Sequence, residues 1–119
     1  MATTPFNLPL TVTKGITFGP VVFLFKKPDL TPFDFTDTGT WKVFAYARRS
    51  ADAKQFIDLG PLITDAVNGE VRISFTDEQT LAQMGGTYKW DMVLESPTGI
   101  RIGPYFAGLY KVEEISTHV

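Results

Sequence analysis

The segment from Asn68 to Lys111 (NGEVRISFTDEQTLAQMGGTYKWDMVLESPTGIRIGPYFAGLYK) constrains the fold more than any other part of the chain. It writes a strand, one helical turn, a second strand, a tight turn and a return strand in succession. Val71, Ile73 and Phe75 alternate with Arg72 and Ser74, the period-two pattern of a strand with one buried face. Thr76 to Met84 breaks that rhythm. Thr76 with Gln79 three residues on forms a capping box, so a short helical turn is predicted over 77–84, closed by Gly85-Gly86. Tyr88, Trp90, Met92 and Leu94 then point one way, and Lys89, Asp91 and Glu95 the other. Ser96-Pro97-Thr98-Gly99 turns the chain, and Ile100 and Ile102 begin the return.

The remaining segments extend the same theme. Residues 1–7 read as a flexible N-terminal arm, and 8–119 as a single domain. Leu8–Thr13 is predicted as an edge strand, since Pro9 is tolerated only there. Val21–Phe25 is an unbroken apolar run, which fits a strand covered on both faces or one whose outer face meets a partner. Residues 28–40 carry loop chemistry between strands, with Phe33 and Phe35 inside them. Those rings either fold back over one end of the core or wait for a neighbour. Trp41, Val43, Ala45 and Ala47 alternate with Lys42, Phe44, Tyr46 and Arg48, the longest clean strand. Gln55–Leu59 is predicted as a short strand and Gly60–Ala66 as a connecting loop. The last strand spans Tyr105 to about Glu113, where Gly108 marks a bulge or a close backbone approach. The total is about seven or eight strands with regularly spaced turns, the profile of an all-β antiparallel sandwich.

Composition excludes several classes of function. The chain has 119 residues, enough for one domain that buries about two-thirds of its unfolded surface. Formal charge is 11 − 13 = −2, without the basic surplus of a nucleic-acid binder. Cysteine is absent, which removes disulfides, zinc-thiolate sites and thiol nucleophiles together. No apolar stretch approaches the ~18 residues of a spanning helix, and residues 1–15 lack the pattern of a secretory signal.

Each candidate reactive constellation in the sequence has a structural reading. His118 is the single histidine, one residue from the C-terminus, where no oriented base is expected. Asp29, Asp34 and Asp37 lack calcium-loop spacing and fit Asx turns. Asp77-Glu78 suits the first turn of a helix, and Asp91 is placed to pair across strands with Lys42 or Arg48. Gly15-x-x-x-Gly19 and Gly99-x-x-x-Gly103 lack the Lys-Ser/Thr pair of a phosphate loop. Lys26-Lys27 and Arg48-Arg49 read as solvated caps at strand ends. No catalytic, cofactor or metal residues are therefore expected.

Several features occur in one order: the Asp34–Trp41 loop before a Trp-led strand, Asn68-Gly69-Glu70, and Thr76-Asp77-Glu78-Gln79-Thr80. Gly86-Thr87-Tyr88-Lys89-Trp90-Asp91, Pro97-Thr98-Gly99 and Gly108 follow. Together they resemble the small immunoglobulin-like β-sandwich of tailed-bacteriophage virion proteins, found at the N-terminus of baseplate upper and tail-fibre proteins and as a stand-alone virion component. The similarity covers roughly residues 18–117. The long receptor-binding extension of fibre proteins is missing, and Gly103-Pro104-Tyr105-Phe106 lengthens the return strand. The resemblance implies a non-enzymatic structural protein of the virion, assembled in the host cytoplasm, in the tail, baseplate or fibre-attachment region. Its partners would be other virion proteins and copies of itself, with no nucleic acid, membrane or cofactor. The alternatives are a capsid decoration protein of the same fold and a carbohydrate-binding module.

The positive signal for binding is aromatic: 10 Phe, 4 Tyr and 2 Trp. If the Trp41 and Tyr88 strands pair, Phe44, Tyr46 and Val93 form an apolar patch outside the core. Contact with a neighbour, cover by the 28–40 loop and an inverted face assignment all fit that pattern. With Phe33, Phe35 and the arm residue Phe6, these make up the predicted contact set.

Overall fold

A computed structural model describes residues 6–27, 29–36, 39–50 and 55–114, with Phe6 described by its backbone. Among them run nine strands and one short helix: β1 (Phe6–Asn7), β2 (Leu10–Thr13), β3 (Phe18–Leu24), β4 (Lys42–Arg48), β5 (Ile57–Asp58), β6 (Leu62–Asp65), β7 (Glu70–Phe75), α1 (Asp77–Leu81), β8 (Gly86–Glu95) and β9 (Arg101–Glu113). They form two sheets. The larger has the order β1-β9-β8-β4-β5 with β2 also on β9, and the smaller has the order β3-β7-β6. The fold is an all-β sandwich.

Period two explains why the sheets stack. Tyr88, Trp90, Met92 and Leu94 of β8 are buried, as are Ala45 and Ala47 of β4 and Val71, Ile73 and Phe75 of β7. Between the sheets Phe23 meets Trp90 and Phe106 edge-on, at 5.7 and 5.0 Å between ring centres. Phe25 contacts Phe35, Tyr105 and Phe106 at 5.2–5.5 Å. Trp41 is half-buried at the same end.

The helical turn forms as its signals require. Thr76 Oγ1 accepts from Gln79 N, and Gln79 Oε1 accepts from Thr76 N. The helix ends at Leu81, earlier than the Gly85-Gly86 stop. Buried Thr80 ties it to the β2–β3 turn by accepting from Gly15 N and donating to the Ile16 carbonyl.

Several features differ from the expectation. Phe6 and Asn7 belong to β1 and pair with Phe106 and Ala107, so the arm does not extend to residue 7; residues 1–5 lie outside the described residues. The pairing of β1 and β2 with β9 is parallel, so the sandwich is not antiparallel throughout. Gly60–Ala66 contains the strand β6, half of whose side chains face solvent. The predicted Gln55–Leu59 strand contracts to Ile57–Asp58.

Gly108 marks a close approach. A Cβ there would lie 2.6 Å from the Leu8 carbonyl oxygen, which accepts the Trp90 indole N–H at 2.9 Å. Pro9 interrupts the edge between β1 and β2 at this point, and the indole satisfies the carbonyl that the break leaves.

Candidate interaction surface

The β4–β8 pairing places the predicted patch. Phe44 lies opposite Val93, Tyr46 opposite Asp91 and Arg48 opposite Lys89. Because Ala45 and Ala47 are fully buried, Phe44 and Tyr46 must face outward, and both are half-buried. Their rings lie nearly parallel, 17° apart with centres 6.4 Å apart. Phe56 packs its ring edge-on to Tyr46 at 4.8 Å. Arg48 stands 4.9 Å from the Phe56 ring centre and 5.7 Å from Tyr46, and Arg101 stands 4.9 Å from Phe44. Such stacking contributes ~0.5–1 kcal/mol per exposed pair and holds each guanidinium plane.

A concavity of about 370 Å³ opens on this face, lined by Tyr46, Arg48, Lys89, Asp91, Val93 and Arg101. Partial burial pushes the Asp91 carboxyl above its ordinary range, and Arg48 opposes that shift. Asp91 thus answers to Arg48, while Lys42 lies opposite Glu95. A second hollow of about 370 Å³ lies nearby on the larger sheet, at Asn7, Ala107 and Gly108. An aromatic floor beside fixed guanidinium groups can hold an apolar side chain and a carboxylate together.

The predicted contact residues separate into two groups. Phe44, Tyr46 and Val93 come together on the outer face. Phe35 does not join them: it is buried in the core, because the 28–40 loop folds back through hydrogen bonds from Phe33 N to Phe25 O and from Phe35 N to Ala66 O. Phe33 is half-buried between Phe35 and Trp41, at 5.2 and 5.0 Å. Phe6 sits at the edge of the larger sheet by its backbone pairing. Sequence reasoning missed Phe56, Arg48 and Arg101. The side of the sheet that Arg48 takes was legible, since Phe44, Tyr46 and Arg48 share one parity of β4. Arg49 is likewise more than a solvated cap: it stacks over Tyr88 at 5.3 Å and donates to the Gly85 carbonyl at 3.0 Å.

The opposite side of the sandwich also exposes apolar groups. Val22 and Leu24 on β3 and Leu62 on β6 are 46%, 52% and 67% exposed. Val22 and Leu62 both lie opposite Arg72, whose guanidinium pairs with Glu70 at 2.8 Å. The apolar run Val21–Phe25 therefore has one buried face and one uncovered face.

Asp29 and Asp34 form Asx turns, accepting from Thr31 N at 3.0 Å and Thr36 N at 2.8 Å. Hydrogen bonds from the Thr31 and Thr36 hydroxyls hold their carboxyls below the usual range. Among the described residues no group of three or more His, Cys, Asp or Glu could hold a metal ion. Asp37 and His118 lie outside those residues. No helix among them is long and apolar enough to cross a membrane. The indoles form no open platform, for Trp90 is buried and Trp41 rests on Phe33.

No protein-family model matches the chain, and no curated protein matches it.

Proposed function

We propose that this chain is a structural protein of a tailed-bacteriophage particle, a sandwich brick of the tail, baseplate or fibre-attachment region that docks on neighbouring subunits and runs no reaction. The observation that carries the reading is two-sided exposure. Phe44, Tyr46, Phe56 and Val93 occupy the outer face of one sheet, and Val22, Leu24 and Leu62 the outer face of the other. A monomer gains nothing from apolar groups on both outer faces, whereas a subunit between neighbours buries both. Each large side chain fully covered by a partner contributes ~1.5–3 kcal/mol. The ordered motifs from Asp34 to Gly108 add the phage context.

The test is a copy count by quantitative mass spectrometry of purified particles. Small multiples of three or six per particle place the chain in a tail ring, and on the order of hundreds place it on the capsid as a decoration protein. Particles that lack the chain would refute the proposal.

A further inference from the structure

We infer that the open edge of β3 pairs with the same edge of a second copy of this chain, antiparallel about Phe23, so that the two smaller sheets join into one. The inference rests on the reading of this chain as a subunit that docks on neighbours, and it names the contact on the smaller sheet's side.

The backbone is the first argument. β3 ends the smaller sheet and, among the described residues, pairs with β7 alone. Phe25 N donates to the Gly69 carbonyl, in register with the pairs Phe23–Val71 and Val21–Ile73, and the Phe25 carbonyl accepts from Phe33 N. Backbone groups alternate sides along a strand, so Val21, Phe23 and Phe25 address β7 while Val22 and Leu24 turn N–H and C=O to the open side. The 26–32 hairpin keeps to the β7 side, because Lys27, which donates to Thr31 O, has the parity of Phe25. A row of open amides and carbonyls is met by one chemistry, an extended strand.

The other edges supply the second argument. β6, at the far end of the smaller sheet, follows Pro61, ends at Asp65 and changes register between Ile63 and Asp65. β5 has two residues, and Pro9 separates β1 from β2. These are devices that keep sheet edges apart. On β3, Pro20 and the register shift between Phe18 and Val21 guard only the first half. Val21–Phe25 carries neither proline nor charge.

Self-complementarity selects a second copy as the strand. A two-fold axis at Phe23 sets Val22 against Leu24 of the second copy, and Leu24 against its Val22. Both members of each pair have outward backbone groups, so each pair exchanges N–H···O bonds in both directions. Val22 and Leu24, 46% and 52% exposed, then form the apolar centre of the joined outer face. Arg72 lies beside Val22 and Glu70 beside Leu24, so each row across the axis runs from Arg72 through two apolar groups to Glu70 of the second copy. The lysines fix the direction. A parallel pair in register would bring Lys26 beside Lys26 and Lys27 beside Lys27. The antiparallel pair holds the two Lys26 residues about 20 Å apart, six residues at ~3.4 Å each, beyond the screening length of ~8–10 Å. One patch meets itself, so the contact is isologous and closes at two.

The experiment is sedimentation velocity of the full chain at rising concentration, with cysteine cross-linking to read the register. Expected is a monomer–dimer equilibrium. Leu24→Pro removes an outward N–H without breaking a bond to β7, and Val22→Lys puts a charge in the apolar centre. Each should weaken the dimer about tenfold or more. Leu62→Lys, on the same outer face but away from the edge, should leave it unchanged. Circular dichroism spectra matching the wild type keep a folding defect apart from a lost contact. The wild-type chain has no cysteine, so Val22→Cys and Leu24→Cys variants report on the pairing alone. Mixed in a glutathione redox buffer, they should form a disulfide between chains, since opposite residues of a hydrogen-bonded pair have Cα atoms ~5.5 Å apart. Either variant alone should not, because its two cysteines are offset by two residues and lie more than ~7 Å apart. Three outcomes overturn the inference: a wild type that stays monomeric, folded edge variants that dimerise as it does, or cross-linking of a single variant in preference to the mixture. A monomeric chain that is still found in particles overturns this contact and leaves the particle role standing; a dimer absent from particles does the reverse.

Discussion

Replacing Gly69 by alanine probes the joint that holds the aromatic end of the sandwich together. Gly69 has φ +68, and its amide neighbourhood is crowded by backbone: a Cβ would lie 2.6 Å from the Phe33 carbonyl oxygen and 2.7 Å from that of Phe25. Two terms follow. The left-handed backbone costs alanine ~1 kcal/mol. Relieving overlap with two carbonyl oxygens requires backbone movement, at ~1–3 kcal/mol. The sum is ~2–4 kcal/mol, which lowers Tm by ~10 °C for a domain of this size. Gly60 separates the terms, because it has φ +58 with no atom within 4 Å of its Cβ. Gly60→Ala should therefore cost only ~1 kcal/mol. Urea titrations of both variants, followed by tryptophan emission, give the difference directly. Displacing Phe33 also uncovers Trp41, so the native-state emission of Gly69→Ala should shift to the red. Equal destabilisation by the two substitutions would refute the steric argument.

Other perturbations test separate joints. Thr76→Ala removes the capping box of α1 and should cost ~1 kcal/mol by chemical denaturation. Tyr110→Phe leaves the buried Gln83 Oε1 without its hydroxyl donor and should cost ~1–3 kcal/mol, while Tyr88→Phe, which frees only the Met84 carbonyl beside solvent, costs less. Burial raises the Tyr110 hydroxyl above the ordinary range of a phenol, which lies near pH 10. Above about pH 10 the unfolded chain therefore binds fewer protons than the folded one, and stability falls as pH rises; a denaturation series should show this limb shrink in Tyr110→Phe. Ala45→Leu overpacks a fully buried position and should cost ~1–3 kcal/mol, whereas Tyr46→Ser on the opposite face should cost less, because half of that ring is in water already; the ranking is read from thermal melts.

The parity of the long strands was legible because alternation survives any uncertainty in strand ends. Tyr88, Trp90, Met92 and Leu94 on one face, and Phe44, Tyr46 and Val93 on the other, follow from counting by twos once β4 and β8 pair. Short and edge elements were not legible. β6 alternates weakly behind Pro61, and its exposed Leu62 gives no core signal. The parallel attachment of β1 and β2 depends on a partner a hundred residues away in sequence, beyond any local pattern. Phe35 was ambiguous for a different reason: a ring in a polar loop is read as core or contact only when its backbone partner, the Ala66 carbonyl, is known. Phe56 entered the site by tertiary packing alone. Arg48 and Arg101 were visible as charges, but a stacked guanidinium and a solvated one have the same sequence.

The side chains of β4 carry the case for a binding face beyond simple exposure. In most half-buried strands large residues point in and small ones out. β4 reverses this, with Ala45 and Ala47 inward and Phe44 and Tyr46 outward. The inner positions are small because the space opposite them is filled by large groups from elsewhere, Trp90 and Met92 on the adjacent strand and Phe23 from the other sheet. Slipping β4 by one residue would drive two rings into that filled volume, which close packing forbids. Core packing thus explains the alanines and leaves the outward rings unexplained by folding. A serine or threonine at 44 and 46 would satisfy the same sheet. That the chain instead places two aromatic rings there, and stacks Arg48 and Arg101 on them, is the physical reason behind the proposal that this face meets a neighbour.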